Sequence, residues 1–196
     1  MCIQQTDALH LGRGWDSRPV KVKIQLQKPV FERRAALAKD VKGFWPTSLQ
    51  QCEALSRFLD PADLPALAHL TDVWIEHDTA DPRNYDVVFT FAKNAFFKNT
   101  TLTKSYSVNP PAGSPYPKPQ EADLEADLYQ TVTKIDWTSP EHDLTKKCPR
   151  PQSIEDLEEF DEFGSPGSWF NLFLEDGADD IGLGELLLEW WPHAAE

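Results

Sequence analysis

The sequence predicts an α+β domain with helices first, then a four-stranded antiparallel meander, then helices again. Three observations carry this. Between residues 20 and 41 apolar side chains recur three and four apart, the spacing of one helix face. The period then drops to two, in Tyr85-Asp86-Val87-Val88-Phe89-Thr90-Phe91 and again from Tyr129 to Trp137, as in half-buried strands. The last third of the chain threads carboxylates between large apolar residues and has no Lys or Arg after Arg150.

Residues 1–19 carry Gly12, Gly14 and Pro19 and read as a loose arm. Val22, Leu26, Val30, Leu37 and Val41 mark the first helix. Pro29 is expected to kink or split it, because proline lacks the helix N–H and its ring meets the preceding turn. Gly43 is expected to end it, with Phe44 and Trp45 turning into the core. A second helix is predicted from about residue 46 to 59. Asp60-Pro61 forms an N-cap and N1 pair for a short third helix ending near Leu70.

Strands are predicted at 73–77, 85–91, 102–108 and 129–137. Turn signals at Asp81-Pro82-Arg83-Asn84 and Lys93-Asn94 separate the first three, and such short links favour antiparallel pairing. Tyr85, Val87, Phe89 and Phe91 share one strand face. Residues 109–127, rich in proline and carboxylates, read as a loop. A proline-bearing connector at 148–153 precedes helical patterns near 154–163, 167–174 and 179–191. Phe44, Phe89 and Trp137 are expected in the core.

Charge divides the chain. Residues 1–50 hold nine basic and four acidic side chains, whereas residues 51–196 hold ten basic and twenty-eight acidic, a net of −18. Thirteen carboxylates lie between Glu155 and Glu196, beside Trp169, Phe170, Phe173, Trp190 and Trp191. A disordered acidic tail is poor in aromatics, so this stretch is expected to fold with a negative face toward water. Such a field repels nucleic-acid phosphates and attracts cationic proteins. The basic arm at 18–42 lacks interleaved aromatics and has an acidic body behind it, so direct DNA binding is not expected.

Motifs for catalysis are missing. The sequence contains no GxSxG, phosphate loop, HExxH or dinucleotide fingerprint, and no cofactor is implied. His77-Asp78 and Glu141-His142-Asp143 set titratable groups side by side, but neighbours on a strand point to opposite faces, which argues against a shared metal. Cys2, Cys52 and Cys148 form no CxxC and are read as reduced thiols of an intracellular protein. No apolar run is long enough to span a bilayer, so no membrane partner is expected.

A set of segments then appears in a specific order. Phe31-Glu32-Arg33-Arg34 is followed by Gly43-Phe44-Trp45 and His69-Leu70-Thr71-Asp72-Val73. Next come the run from Asn94-Ala95-Phe96-Phe97-Lys98-Asn99 to Lys104-Ser105-Tyr106, and Ile135-Asp136-Trp137. Ser168-Trp169-Phe170-Asn171-Leu172-Phe173, Gly177-Ala178-Asp179-Asp180 and Trp191-Pro192 close the set. Over residues 21–192 this resembles the nucleosome assembly protein family, in particular its SET-like branch. The resemblance implies a non-enzymatic histone chaperone of the nucleus, and also the cytoplasm. It would bind core histones, as either or both of their two dimeric pairs, and pass them to and from DNA without ATP. It also implies a homodimer held by a long N-terminal helix, with histones on the acidic underside of each domain.

Under that resemblance, residues 20–42 hold the remnant of the dimerisation helix, 43–192 the histone-binding domain and 193–196 a tail. Asn171, Asp179 and Asp180 match the histone surface, with Glu175 and Asp176 as neighbours. Val22, Ile24, Leu26 and Val30 would serve dimerisation. The helix before Pro29 is short for the family, the first nineteen residues do not match it, and a long acidic tail is missing. A truncated start and a weakened dimer are therefore expected. Charge alone leaves two rivals: an acidic scaffold or inhibitor that occupies another enzyme's basic cleft, and an enzyme with an unrecognised site.

Overall fold

The computed structural model describes residues 17–110, 128–149, 167–174 and 182–195, together with the backbone of 177–178. Helix α1 spans Ser17–Ala38 without interruption, with Pro29 inside it. The break predicted at Pro29 does not occur. Pro29 and Gln25, whose carbonyl loses its helix partner, are both exposed, so the interruption in the hydrogen-bond ladder lies on the solvent side of the helix. At about 1.5 Å per residue the helix is roughly 33 Å long, well beyond the short stretch that a break at Pro29 would leave.

Gly43 has a different role from the one predicted. α1 closes at Ala38 through turns from Asp40 N to the Leu37 carbonyl and from Val41 N to the Ala38 carbonyl, both 3.1 Å. Gly43, at φ 76°, opens the next helix, a conformation that costs little only without a Cβ. The predicted helix over 46–59 is two pieces, α2 (Phe44–Gln51) and α3 (Glu53–Ser56), because Cys52 between them is extended. Asp60 caps as expected. Its Oδ1 accepts from Ala62 N at 2.8 Å, and the Asp63 carboxylate accepts in return from Asp60 N at 3.0 Å. This capping box starts a 3-10 turn (Pro61–Asp63) that runs into α4 (Leu64–Leu67).

Strands β1 (Leu70–His77), β2 (Tyr85–Phe91), β3 (Thr101–Ser107) and β4 (Tyr129–Val132) form the expected antiparallel meander. A two-residue β5, Gly177–Ala178, is added at the β4 edge, opposite Tyr129 and Gln130. β4 stops five residues short of Trp137. Thr133 still exchanges hydrogen bonds with Thr103 of β3, its N donating to the Thr103 carbonyl at 2.9 Å and its Oγ1 accepting from Thr103 N at 3.1 Å, and beyond it the chain binds the 94–99 loop instead. Asn99 bridges to it, with Oδ1 accepting from Asp136 N at 2.7 Å and Nδ2 donating to the Lys134 carbonyl at 3.2 Å. Trp137 forms an isolated bridge with Phe97. A 3-10 turn (Pro140–His142), α5 (Leu144–Lys147), a 3-10 helix (Trp169–Phe173), α6 (Leu183–Trp190) and a closing 3-10 turn (Trp191–His193) complete the described elements. The helical pattern at 154–163 lies outside the described residues, as does most of the predicted loop over 109–127.

One buried cluster joins both layers. Val73 and Ile75 of β1, alternate residues Tyr85 to Phe91 of β2, and Leu102 and Tyr106 of β3 face Trp169, Phe170 and Phe173, with Leu183 and Leu187 of α6. Phe89 is 1% exposed; Phe44 and Trp137 are half-buried at the rim of the same cluster. The outer edge of β1 is covered, which prevents edge-to-edge pairing. Trp191 Nε1 donates to the Val73 carbonyl at 2.7 Å, and its ring lies 4.4 Å from Phe31 of α1. Arg34 of α1 stacks over Trp191 at 4.6 Å and donates to the Trp191 and Pro192 carbonyls. Lys28 of α1 pairs with Glu76 of β1 at 3.0 Å. Trp191 therefore pins the first helix to the sheet.

Candidate functional site

The candidate site is the segment from Ser168 to α6, which carries the acidic residues singled out in the sequence. Its first anchor is a buried carboxylate. Asp63, fully buried, accepts from Ser168 Oγ at 2.5 Å and from Trp169 N at 2.6 Å, besides Asp60 N. Burial pushes the Asp63 carboxyl above its ordinary range, against the opposing pull of these three bonds. The donors at Ser168 and Trp169 lie about a hundred positions away in sequence, so Asp63 ties the N-terminal helices to the site segment. Ser168 in turn caps the 3-10 helix, its Oγ accepting from Phe170 N at 3.1 Å.

The second anchor is the Cys148 carbonyl, which accepts from Ser168 N at 2.7 Å and from Asn171 Nδ2 at 2.9 Å. Gly167 makes this close approach possible. Its φ is +90°, and a Cβ there would sit 2.7 Å from the Pro149 carbonyl oxygen and 2.7 Å from Asn171 Nδ2. Gly167→Ala is therefore expected to cost about 1–3 kcal/mol. A urea titration checks it, and an unchanged midpoint would show that the Pro149 turn yields freely.

The third anchor lies under the segment. Lys104 is 1% exposed, and its ammonium donates to the Leu172 carbonyl, 5.7 Å from the Phe173 ring and 5.8 Å from the Tyr106 ring. After the 3-10 helix the chain returns to the sheet as β5 and enters α6 through Gly182 at φ 64°.

The predicted residues are placed unequally. Asn171 is 6% exposed and spends its amide on the Cys148 carbonyl, while its Oδ1 has no hydrogen-bond partner among the described residues. It offers little side chain to a partner and acts by holding the segment in place. Glu175 and Asp176 stand between the 3-10 helix and β5, and Asp179 and Asp180 between β5 and α6; all four lie outside the described residues. Sequence reasoning missed Asp63, Lys104 and Gly167. Only Lys104 left a signal, because alternation with Leu102 and Tyr106 puts it on the inward face. Among the described residues no group of three His, Cys, Asp or Glu could hold a metal ion, and no helix is long and apolar enough to cross a membrane.

The residues predicted for dimerisation do not share a face. Val22, Leu26 and Val30 are 53%, 73% and 65% exposed. Ile24 is half-buried, because at about 3.6 residues per turn it falls on the side that carries Phe31 and Ala38 into the domain.

Comparison with known proteins places this geometry. Residues 16–180 match the family profile Nucleosome assembly protein (NAP). The chain is 27% identical over 194 residues to Protein SET of Drosophila melanogaster, covering 98% of this chain and 68% of that protein. It spans much less of other relatives, 35% of the human nucleosome assembly protein 1-like 2, with 29% identity over 161 residues. The fold is similar to that of Vps75, with a TM-score of 0.57 and 17% identity over 92% of this chain and 91% of that one. A continuous match over residues 16–180, joined to a sheet and an anchored acidic segment of this kind, makes the chain a member of the nucleosome assembly protein family.

Proposed function

We propose that this protein is a histone chaperone that binds core histones through the acidic segment following the 3-10 helix and transfers them to and from DNA without ATP. The observation that supports it is the anchoring of that segment. Thirteen carboxylates and no Lys or Arg follow Arg150, and in sequence Glu175, Asp176, Asp179 and Asp180 fall between the 3-10 helix that the Asp63 and Cys148 clamps fix and α6. Asn171 belongs to the clamp. The mechanism is charge masking. Histones hold DNA through many Lys and Arg contacts, which an acidic surface occupies until DNA offers a denser array. No covalent step is involved, and the place of action is the nucleus, with the cytoplasm a second location.

Histone affinity should fall steeply between low and moderate salt, since exposed charges are screened over about 8 Å at physiological ionic strength. Charge reversal of Asp179 and Asp180 to lysine should weaken binding of both histone pairs. These residues precede the N-terminus of α6, where a carboxylate is worth about 0.3–1 kcal/mol, so melting should change only modestly. Fluorescence titration of histones and of duplex DNA tests both points. Equal or tighter binding of DNA at physiological salt would overturn the reading. Undiminished histone affinity in a folded double variant would move the site elsewhere.

A further inference from the structure

Lys104 puts an ammonium on the apolar side of the sheet. It is buried on the inward face of β3 between Leu102 and Tyr106, which are buried as well. Its cross-strand neighbours are Val87 of β2 and Val132 of β4. An apolar side chain of the same length would fill this row of the sheet, and taking an ammonium out of water opposes folding. What the ammonium reaches is the opposite layer. It donates to the Leu172 carbonyl and lies 5.7 Å from the Phe173 ring, both at the C-terminal end of the 3-10 helix Trp169–Phe173. Carbonyls at a helix C-terminus take donors from outside the helix, and a cation there also meets the negative end of the helix dipole. At the other end of the same helix the Asp63 carboxyl accepts from Trp169 N. The 3-10 helix is therefore held between a buried acidic and a buried basic side chain, each from another element. Its last turn closes with Leu174 N donating to the Asn171 carbonyl at 3.2 Å. Leu174 is itself exposed, and Glu175 and Asp176 are next in sequence.

We propose that Lys104 is a positioning residue for histone binding: its ammonium fixes the end of the 3-10 helix, and with it the place and direction in which the chain departs toward its carboxylates. The proposal rests on the histone reading for its effect on binding, and on the fold alone for its effect on the helix end. The charge itself does not attract a histone. A cation beneath an acidic surface weakens the pull of that surface on a basic partner, so the contribution of Lys104 lies in geometry. Charge and geometry predict opposite signs for the same substitution. Lys104→Met keeps the length of the side chain and makes the net charge of −13 one unit more negative. Through charge alone it would tighten histone binding. Through lost position it weakens binding, because a segment held in place loses less conformational freedom on meeting its partner than a loose one does.

The experiment compares the full chain with its K104M variant in two measurements. Amide hydrogen exchange, followed by NMR, needs no histone. The Leu174 amide should lose protection in K104M by on the order of tenfold, while the amides of the β2–β3 ladder keep theirs. Fluorescence titration of labelled core histones is then carried out at a temperature where circular dichroism shows both chains folded. K104M should bind about tenfold more weakly than wild type. Unchanged exchange at Leu174 would overturn the proposal. So would a folded K104M that binds histones as tightly as wild type or more tightly, the direction that charge alone requires. A K104M chain that does not fold would assign the ammonium to stability and overturn it as well. A wild-type chain that binds no histone would sink the histone reading, and the exchange result alone would then stand for or against Lys104 as the anchor of the helix end.

Discussion

Asp63→Ala is expected to remove about 3–5 kcal/mol of stability. The carboxylate is fully buried and accepts from Ser168 Oγ, Trp169 N and Asp60 N at 2.5, 2.6 and 3.0 Å. Alanine strands these three donors, two of them deep in the protein, and an unsatisfied buried donor costs about 1–3 kcal/mol. Against a typical total of about 5–15 kcal/mol, much of the population would unfold near body temperature. Asp63→Asn keeps an acceptor and should lose less. Its pH dependence adds an independent check. Burial raises the Asp63 pKa in the folded state, so its contribution is full below the ordinary carboxylate value of about 3.9 and is lost as pH rises through the raised value. The stability gap between wild type and Asp63→Asn should therefore narrow as pH rises through that interval. Urea titrations at several pH values read both effects. A gap that widens would mean that the three hydrogen bonds outweigh desolvation.

Phe89→Ala should cost about 3–5 kcal/mol through a cavity at the junction of sheet and site. The ring is 1% exposed, 6.0 Å from Trp169 and 5.8 Å from Phe173, edge-on to both. Those two rings seat the 3-10 helix on β2, so the cavity opens beneath the segment that carries the acidic residues. Val87, one inward position away, is equally buried, which limits how far the site can collapse. Histone binding should fall in proportion to the unfolded fraction and recover on cooling. A variant that melts like wild type yet no longer binds histones would show that Phe89 is a contact residue and that the inside and outside of β2 were misassigned.

Local patterns were enough for the existence and order of the four strands, though not for all their ends. Alternation in 85–91 matches β2 residue for residue, and Asp60-Pro61 caps a helix as its chemistry requires, because period and capping depend on residues near one another in sequence. The family also shows in the order of its segments. Pro29 was harder to read, since the cost of a proline inside a helix is smaller where the freed carbonyl can reach water, and exposure is a tertiary property. The length of β4 likewise depended on a competitor, the Asn99 side chain, that is some thirty-five residues distant. The same limit governs the site. Alternating carboxylates and aromatics marked the C-terminal third as a folded acidic face, but nothing local tells Asp63, which is buried and clamps Ser168 and Trp169, from the half-buried Asp60 three positions before it. Nor does helical spacing alone say which stripe of α1 is covered. Family, meander and charge division follow from the order of residues along the chain. Which polar residues are spent inside, and which apolar face of α1 stays exposed, follows only from the packing in three dimensions, because burial is set by what meets a residue from far along the chain.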